Sequence, residues 1–156
     1  MKVMGIDPGV GGALVMLNGS QIEQRIMPIK TLDKEKEIDL DGVLKILREL
    51  KPDHVYLERV MAFAMGAKSA FNFGKGFGQI ETAVKLCFIP YTLVGPNVWG
   101  KEMHEGISAD LKPKAKSKKA VARLFPTLFP EGQKHHDGIL DAILIAEYGR
   151  RKLGVK

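Results

Sequence analysis

The segment MKVMGIDPGVGGALVML holds two apolar runs separated only by Asp7, Pro8 and a glycine-rich turn. Two short apolar runs joined so tightly must lie side by side as antiparallel strands, here over 2–7 and 12–17. The first strand closes on a carboxylate. Removing an unpaired charge from water costs more than the neighbouring Val and Met return, so Asp7 needs a partner or a task. An Asx-type turn at Asp-Pro-Gly gives a structural reason for it, but nothing there consumes the charge.

The pattern continues in the same style. Asn18-Gly19-Ser20 supplies hairpin chemistry, and 21–27 (QIEQRIM) alternate as a third strand. Residues 28–38 read as a charged connection. From Asp39, the residues Leu40, Val43, Leu44, Ile46, Leu47 and Leu50 recur at helical spacing until Lys51-Pro52 stops them. HVYLE (54–58) is a fourth strand and also ends in a carboxylate, Glu58. A helix rich in Gly and Phe is predicted over 66–87, a fifth strand over 89–95, and a short helix from Pro96. Further helices follow near 117–125 and over 136–152. A meander that gives way to alternating helices and strands predicts an α/β fold with a mixed five-stranded sheet. Strands one to three are antiparallel, and the fourth and fifth run parallel to the first, with helices flanking.

At 156 residues the chain reads as one domain over 1–156. Lys and Arg number 24 against 18 Asp and Glu, a net charge of +6 that favours a polyanionic partner. The stretch 110–116, crowded with lysines that repel one another, is expected to be a mobile basic loop. One cysteine, Cys87, excludes an internal disulfide or a thiolate zinc site. With no signal-like start, that argues for a reducing, cytoplasmic setting. No apolar run approaches the ~20 residues of a membrane helix, so no membrane partner is expected.

Four carboxylates demand an account. Asp7 and Glu58 end strands that the topology makes parallel neighbours, at the sheet edge where α/β sites form. Asp137 and Asp141 lie four apart at the start of the last helix and share a face. Individually, Asp137 serves as a helix cap or first-turn acid and Glu58 as half of an ion pair with Arg59. Together they form a set of like charges that requires cations. Hard oxygen ligands suit Mg²⁺, with Mn²⁺ as a substitute. Two such ions about 4 Å apart would clamp a phosphodiester displacement.

MGIDPGVGGALV, HVYLERV and HHDGILDAILIA, in that order, resemble the RuvC family of Holliday-junction resolvases, in the ribonuclease H-like superfamily. The short chain and the Gly/Phe-rich helix look most like its bacteriophage members. The resemblance implies that Asp7, Glu58 and Asp141 are metal ligands. It is less direct for the fourth ligand, because cellular members have Asp or His three residues before the last Asp, where this chain has Gly138. Asp137, one position earlier, takes that role, with His136 as a rival ligand or general base. His135 reads as a solvated loop residue.

The same resemblance implies two lysines in the catalytic centre, for which Lys101 and Lys114 are the candidates. Lys116 and Lys118 are rivals for the second, and Lys112 and Lys119 are expected to make phosphate contacts. It also implies a wedge between junction bases shortly after Glu58, at Met61 or Phe63. Phe71, Phe73 and Phe77 spread round their helix, so at least one belongs to the core. Trp99 is expected as a core anchor.

Gly74, Gly76 and Gly78 cost a helix about 1 kcal/mol each relative to Ala, which points to a close neighbouring helix. The family's C2 homodimer would supply one, leaving Lys68, Ser69, Asn72 and Lys75 to line the DNA face. The function so implied is two-metal endonucleolytic resolution of four-way or branched DNA, in the cytoplasm of a host cell if the chain is phage-encoded. The products would be 5′-phosphate and 3′-hydroxyl ends. A non-catalytic branched-DNA-binding module is the alternative. An actin-like ATPase would need two lobes, which this length does not hold.

Overall fold

The computed structural model describes residues 1–59 and 65–155. Its main sheet has five strands: β1 (Val3–Asp7), β2 (Ala13–Asn18), β3 (Gln21–Ile26), β6 (His54–Glu58) and β7 (Tyr91–Val94). The spatial order is β3-β2-β1-β6-β7. β1–β2 and β2–β3 are antiparallel, and β6 and β7 run parallel to β1. The mixed sheet expected from the sequence is thus present. A second, two-stranded ribbon was not foreseen. β4 (Ile29–Leu32) and β5 (Glu35–Ile38) pair antiparallel across Asp33 and Lys34, both with positive φ. That two-residue turn has the backbone of a type I′ hairpin without its usual Asn-Gly signature, so the segment passed for a charged connection.

Five helices flank the sheet: α1 (Leu40–Leu50), α2 (Ala67–Leu86), α3 (Pro96–Met103), α4 (Pro113–Leu124) and α5 (Asp137–Lys152). α4 begins at Pro113, so the basic stretch 110–116, expected to be a mobile loop, is helical over half its length. Proline suits a first helical position, and lysines fanning out from successive positions reach water.

Strand alternation divides the apolar residues between two cores. Met4, Ile6, Leu14, Met16, Val55 and Leu57 pack beneath α1, α2 and Ile38 of the ribbon. Val3, Ala13, Val15, Leu17 and Tyr56 pack against α3, α4 and α5. The same alternation puts Asp7 on the α5 side of β1 and Glu58 on the α5 side of β6.

α5 approaches that face unusually closely. A Cβ at Gly5 would overlap the backbone of Ala142 and Ala146, one at Gly149 would overlap the Tyr56 ring, and one at Gly138 would lie 2.5 Å from the Gly11 carbonyl oxygen. Gly138, Ala142, Ala146 and Gly149 therefore form a small-residue face that seats the helix on β1 and β6. The larger residues Leu140, Ile143 and Leu144 fill the core beside it.

Candidate active site

The register of β1 on β6 pairs Ile6 with Leu57, so Asp7 and Glu58 sit one step on, level with each other at the ends of adjacent parallel strands. Beyond Asp7 the chain turns on Gly9 (φ 120°), and the Gly12 N–H donates to the Gly9 carbonyl at 3.0 Å. The Asp-Pro-Gly turn is the device that fixes where Asp7 ends, and it leaves the carboxyl facing α5. Seating of α5 on Gly5 then brings Asp141, the residue before Ala142, to the same edge.

The three carboxyls are mutually unfavourable. Burial, then the charge of Glu58, then that of Asp141 push the Asp7 carboxyl up to about 8. Burial, reinforced by Asp141, raises Glu58 above the usual carboxylate range, against a lowering by the Trp99 N–H. Asp141 is raised as well, by burial foremost, with a nearby serine and Lys114 acting in the opposite sense. Glu58 is only 7% exposed. Its one side-chain hydrogen-bond partner among the described residues is unexpected: the indole Nε1 of Trp99 donates to its Oε1 at 2.9 Å. Trp99 is thus a core anchor, as the sequence implied, and also a hydrogen-bond donor to the site, which the sequence did not reveal.

A cleft of about 520 Å³ opens over Glu58 and Asp141. Its walls carry Trp99, Lys101 and His104 from the α3 region, and Lys114, Lys116 and Ser117 from α4. Lys101 and Lys114, named from the sequence, therefore both overlook the carboxylates, as does Lys116. The cleft also contains two residues that sequence reasoning passed over, His104 and Ser117. Their burial depends on α3 and α4 folding over the sheet edge, which no local pattern records.

Asp137 stands outside this group. It is exposed, at the first position of α5, and receives the Lys114 ammonium at 2.6 Å. Gly138 leaves no room for an acid three residues before Asp141: a side chain there would collide with Gly11 and Gly12 of the turn between β1 and β2. His136 is an exposed residue just before α5 and caps it with no side-chain bond. His135, expected in solvent, is instead half-buried with its ring 4.8 Å from that of Phe129. The apolar Phe129 surface draws the imidazole inward.

The remaining basic residues spread differently. Lys112 precedes the first residue of α4, Lys118 is half-exposed, and Lys119 belongs to another groove with Ile107 and Arg123. On α2, Lys68 pairs with Glu35 of the ribbon, Asn72 donates to the same carboxylate at 3.2 Å, and Lys75 reaches Glu37 at 2.8 Å. Ser69 lines a hollow of about 340 Å³ between α2, β5 and the Gly9–Val10 turn. Met61 and Phe63 lie outside the described residues.

Gly76 is accounted for within the chain, since a Cβ there would meet Ile38 at 2.8 Å, whereas Gly74 and Gly78 face open space. Of the three phenylalanines, Phe77 packs on the core beneath α2, Phe73 faces the Gly9 turn and Phe71 is 72% exposed.

Among the described residues, no three His, Cys, Asp or Glu side chains close into a ready metal cage. The donor chemistry nonetheless suits a hard divalent cation. Asp7, Glu58 and Asp141 offer only carboxylate oxygens, feel one another's charge and are partly withdrawn from water.

No family model matches the sequence, and no curated protein matches it. Solved structures do. The fold is the ribonuclease H-like one, a mixed five-stranded sheet flanked by helices with carboxylates at the ends of its central parallel strands. Within that class the structural neighbours are RuvC and other Holliday-junction resolvases. T. thermophilus RuvC in complex with a Holliday-junction substrate matches with a TM-score of 0.66 and 19% identity, over 99% of this chain and 96% of that one. Yeast mitochondrial Holliday-junction resolvase matches at 0.57 and 12%, over 96% and 77%. The Fowlpox virus resolvase bound to junction DNA matches at 0.51 and 16%, over 98% and 99%.

Proposed function

We propose that this chain is a metal-dependent, structure-selective endodeoxyribonuclease that resolves Holliday junctions and other branched DNA, acting as a homodimer. One observation carries the reading: carboxylates from β1, β6 and α5, all partly or wholly withdrawn from water, gather at one sheet edge, and two of them, Glu58 and Asp141, line a cleft walled by lysines. Carboxyls raised in pKa by burial first and by neighbouring acids second serve no structural end, whereas a hard cation would relieve them. The neighbours' junction substrates and the net charge of +6 support DNA as the polyanion.

Asp7, Glu58 and Asp141 would hold Mg²⁺ or Mn²⁺, with Asp137 at the rim once Lys114 releases it. Two such cations, when bound, supply the Lewis acidity for phosphodiester hydrolysis to 5′-phosphate and 3′-hydroxyl ends. The protein's own part is positional and electrostatic. The Trp99 N–H fixes the Glu58 carboxylate. Lys101, Lys114 and Lys116 seat the scissile phosphate over the carboxylates and stabilise charge that builds on it. The open turn at Gly9 and Gly11 leaves room for a DNA backbone to come close. Gly74 and Gly78, which have no partner within the described chain, fit an α2-mediated dimer.

A panel of four-way, three-way, flap and linear duplex DNA, with Mg²⁺ and then EDTA, tests the reading. Branched substrates alone should be nicked, and only with the metal. Asp7→Asn should cut the rate by ~10³-fold while preserving junction binding. Junction binding without nicking by the native chain would instead mark a non-catalytic module.

A further inference from the structure

Ser117 is 3% exposed on a helix whose neighbouring positions are lysines. A buried hydroxyl is costly unless it is bonded, and its partner here comes from another element. His104, just past the end of α3, places Nε2 at 3.3 Å from Ser117 Oγ. The same imidazole meets the Trp99 indole edge to face, with ring centroids 5.6 Å apart at 70°. Trp99 in turn donates to Glu58 at 2.9 Å. Ser117 and Asp141 line one cleft, where α4 packs against α5.

We infer that Trp99, His104 and Ser117 form a bracket that orients two carboxylates at once, Glu58 through the indole N–H and Asp141 through the serine hydroxyl, with His104 as the shared brace. The inference rests on the metal-dependent nuclease reading and assigns positioning residues within it, since none of the three need touch DNA. The proton directions follow from the chemistry of the groups. An ionised carboxylate only accepts, so the Ser117 O–H points to Asp141, and its lone pairs accept from His104. The brace therefore needs the Nε2–H tautomer, with Nδ1 bare. Burial and the charges of Lys116 and Arg123 favour the neutral ring that this requires. Because α4 also carries Lys114 and Lys116, the bracket ties the phosphate-binding lysines to the carboxylates they must face.

Groups that orient metal ligands from behind change metal affinity by roughly 10- to 100-fold when removed. Calorimetric titration of the full chain with Mn²⁺, without DNA, reads this directly. In parallel, cleavage of a synthetic four-way junction is measured across Mn²⁺ concentrations. Ser117→Ala should weaken Mn²⁺ binding by about tenfold or more and raise the metal requirement for cleavage by the same factor. Junction binding in EDTA should not change. His104→Phe keeps the ring against Trp99 but loses the bond to Ser117, and it should fall in step. His104→Gln, which keeps a donor, should recover most of the loss.

Should Ser117→Ala fail to fold, His104→Phe against His104→Gln carries the test alone. Wild-type Mn²⁺ affinity in the folded Ser117→Ala or His104→Phe variants overturns the bracket while leaving the nuclease reading standing. A native chain that binds no Mn²⁺, or an Asp7→Asn variant that binds it as well as the native chain, overturns the nuclease reading and the bracket with it.

Discussion

α2 carries three lysines in 20 residues and α4 four in 12, and the structure puts them to different ends. On α2, Lys68 and Lys75 are exposed and each finds a glutamate of the β4–β5 ribbon, so the charge is already answered within the chain. Surface pairs of this kind contribute little to stability and are screened by salt. On α4, Lys114 also holds an exposed acid, Asp137, but it and Lys116 look into a cleft lined by Glu58 and Asp141, which are withdrawn from water and raised in pKa. Burial makes the difference. Opposite charges in water neutralise each other cheaply, whereas like charges withdrawn from water hold free energy that a ligand can release.

The largest expected effect sharpens that contrast through pH. Asp7 in the folded chain titrates near 8, against an ordinary 3.8. Between those values the folded state keeps a proton that the unfolded state has released. The stability so conferred is full below about pH 4 and is lost as pH rises through 8, with an upper bound of about 6 kcal/mol. In EDTA the melting temperature should fall from pH 5 to pH 8, and Asp7→Asn should flatten the curve. An unchanged curve in that variant would break the contrast. Glu35, exposed and lowered in pKa by Lys68 foremost, should impose no such decline when replaced by Gln.

Next comes the seating of α5, on which the cleft depends and the ribbon does not. Gly5→Ala and Gly138→Ala each force a methyl into backbone, and each should lower stability by about 3 kcal/mol in urea titration. Gly138→Asp, which puts an acid three residues before Asp141, should destabilise in the same way and leave cleavage no faster. The lysines follow. Lys114→Ala should slow junction cleavage by about 10²-fold with a small loss of binding. Lys75→Ala should alter cleavage little, because Glu37 already occupies that ammonium. Equal losses in the two variants would erase the distinction between the helices.

The smallest effect concerns the outer face of α2. Gly74→Ala and Gly78→Ala meet nothing among the described residues and should stabilise the monomer by up to about 1 kcal/mol each. If the dimer packs there, sedimentation should show it weakened.

Sequence reasoning located the parts of the site that announce themselves locally. Asp7 and Glu58 each end an apolar run, and Asp141 precedes the small residue on which its helix seats; these are disturbances in short-range pattern. Ser117, His104 and Trp99 make no such disturbance. A serine among lysines reads as solvated, and a tryptophan reads as core, until α3 and α4 close over the sheet edge. The ribbon escaped because Asp33 and Lys34 adopt left-handed backbone without glycine or asparagine to advertise it. The start of α4 was displaced because repulsion among lysines was given more weight than the proline that begins the helix. Gly76 invited a partner helix when Ile38 of the ribbon was enough.

The seating of α5 on β1 has a consequence in time as well as space. Asp7 lies near one end of the sequence and Asp141 near the other, and they meet only when α5 docks on Gly5. Contacts of such long sequence separation form late, after the entropy of closing the intervening chain has been met. A ribosome-bound chain that has displayed β1, β2 and β6 already holds two of the three acids and the central strand pairing. On the proposed function it could not yet cut, and assembly order would withhold cleavage until α5 docks.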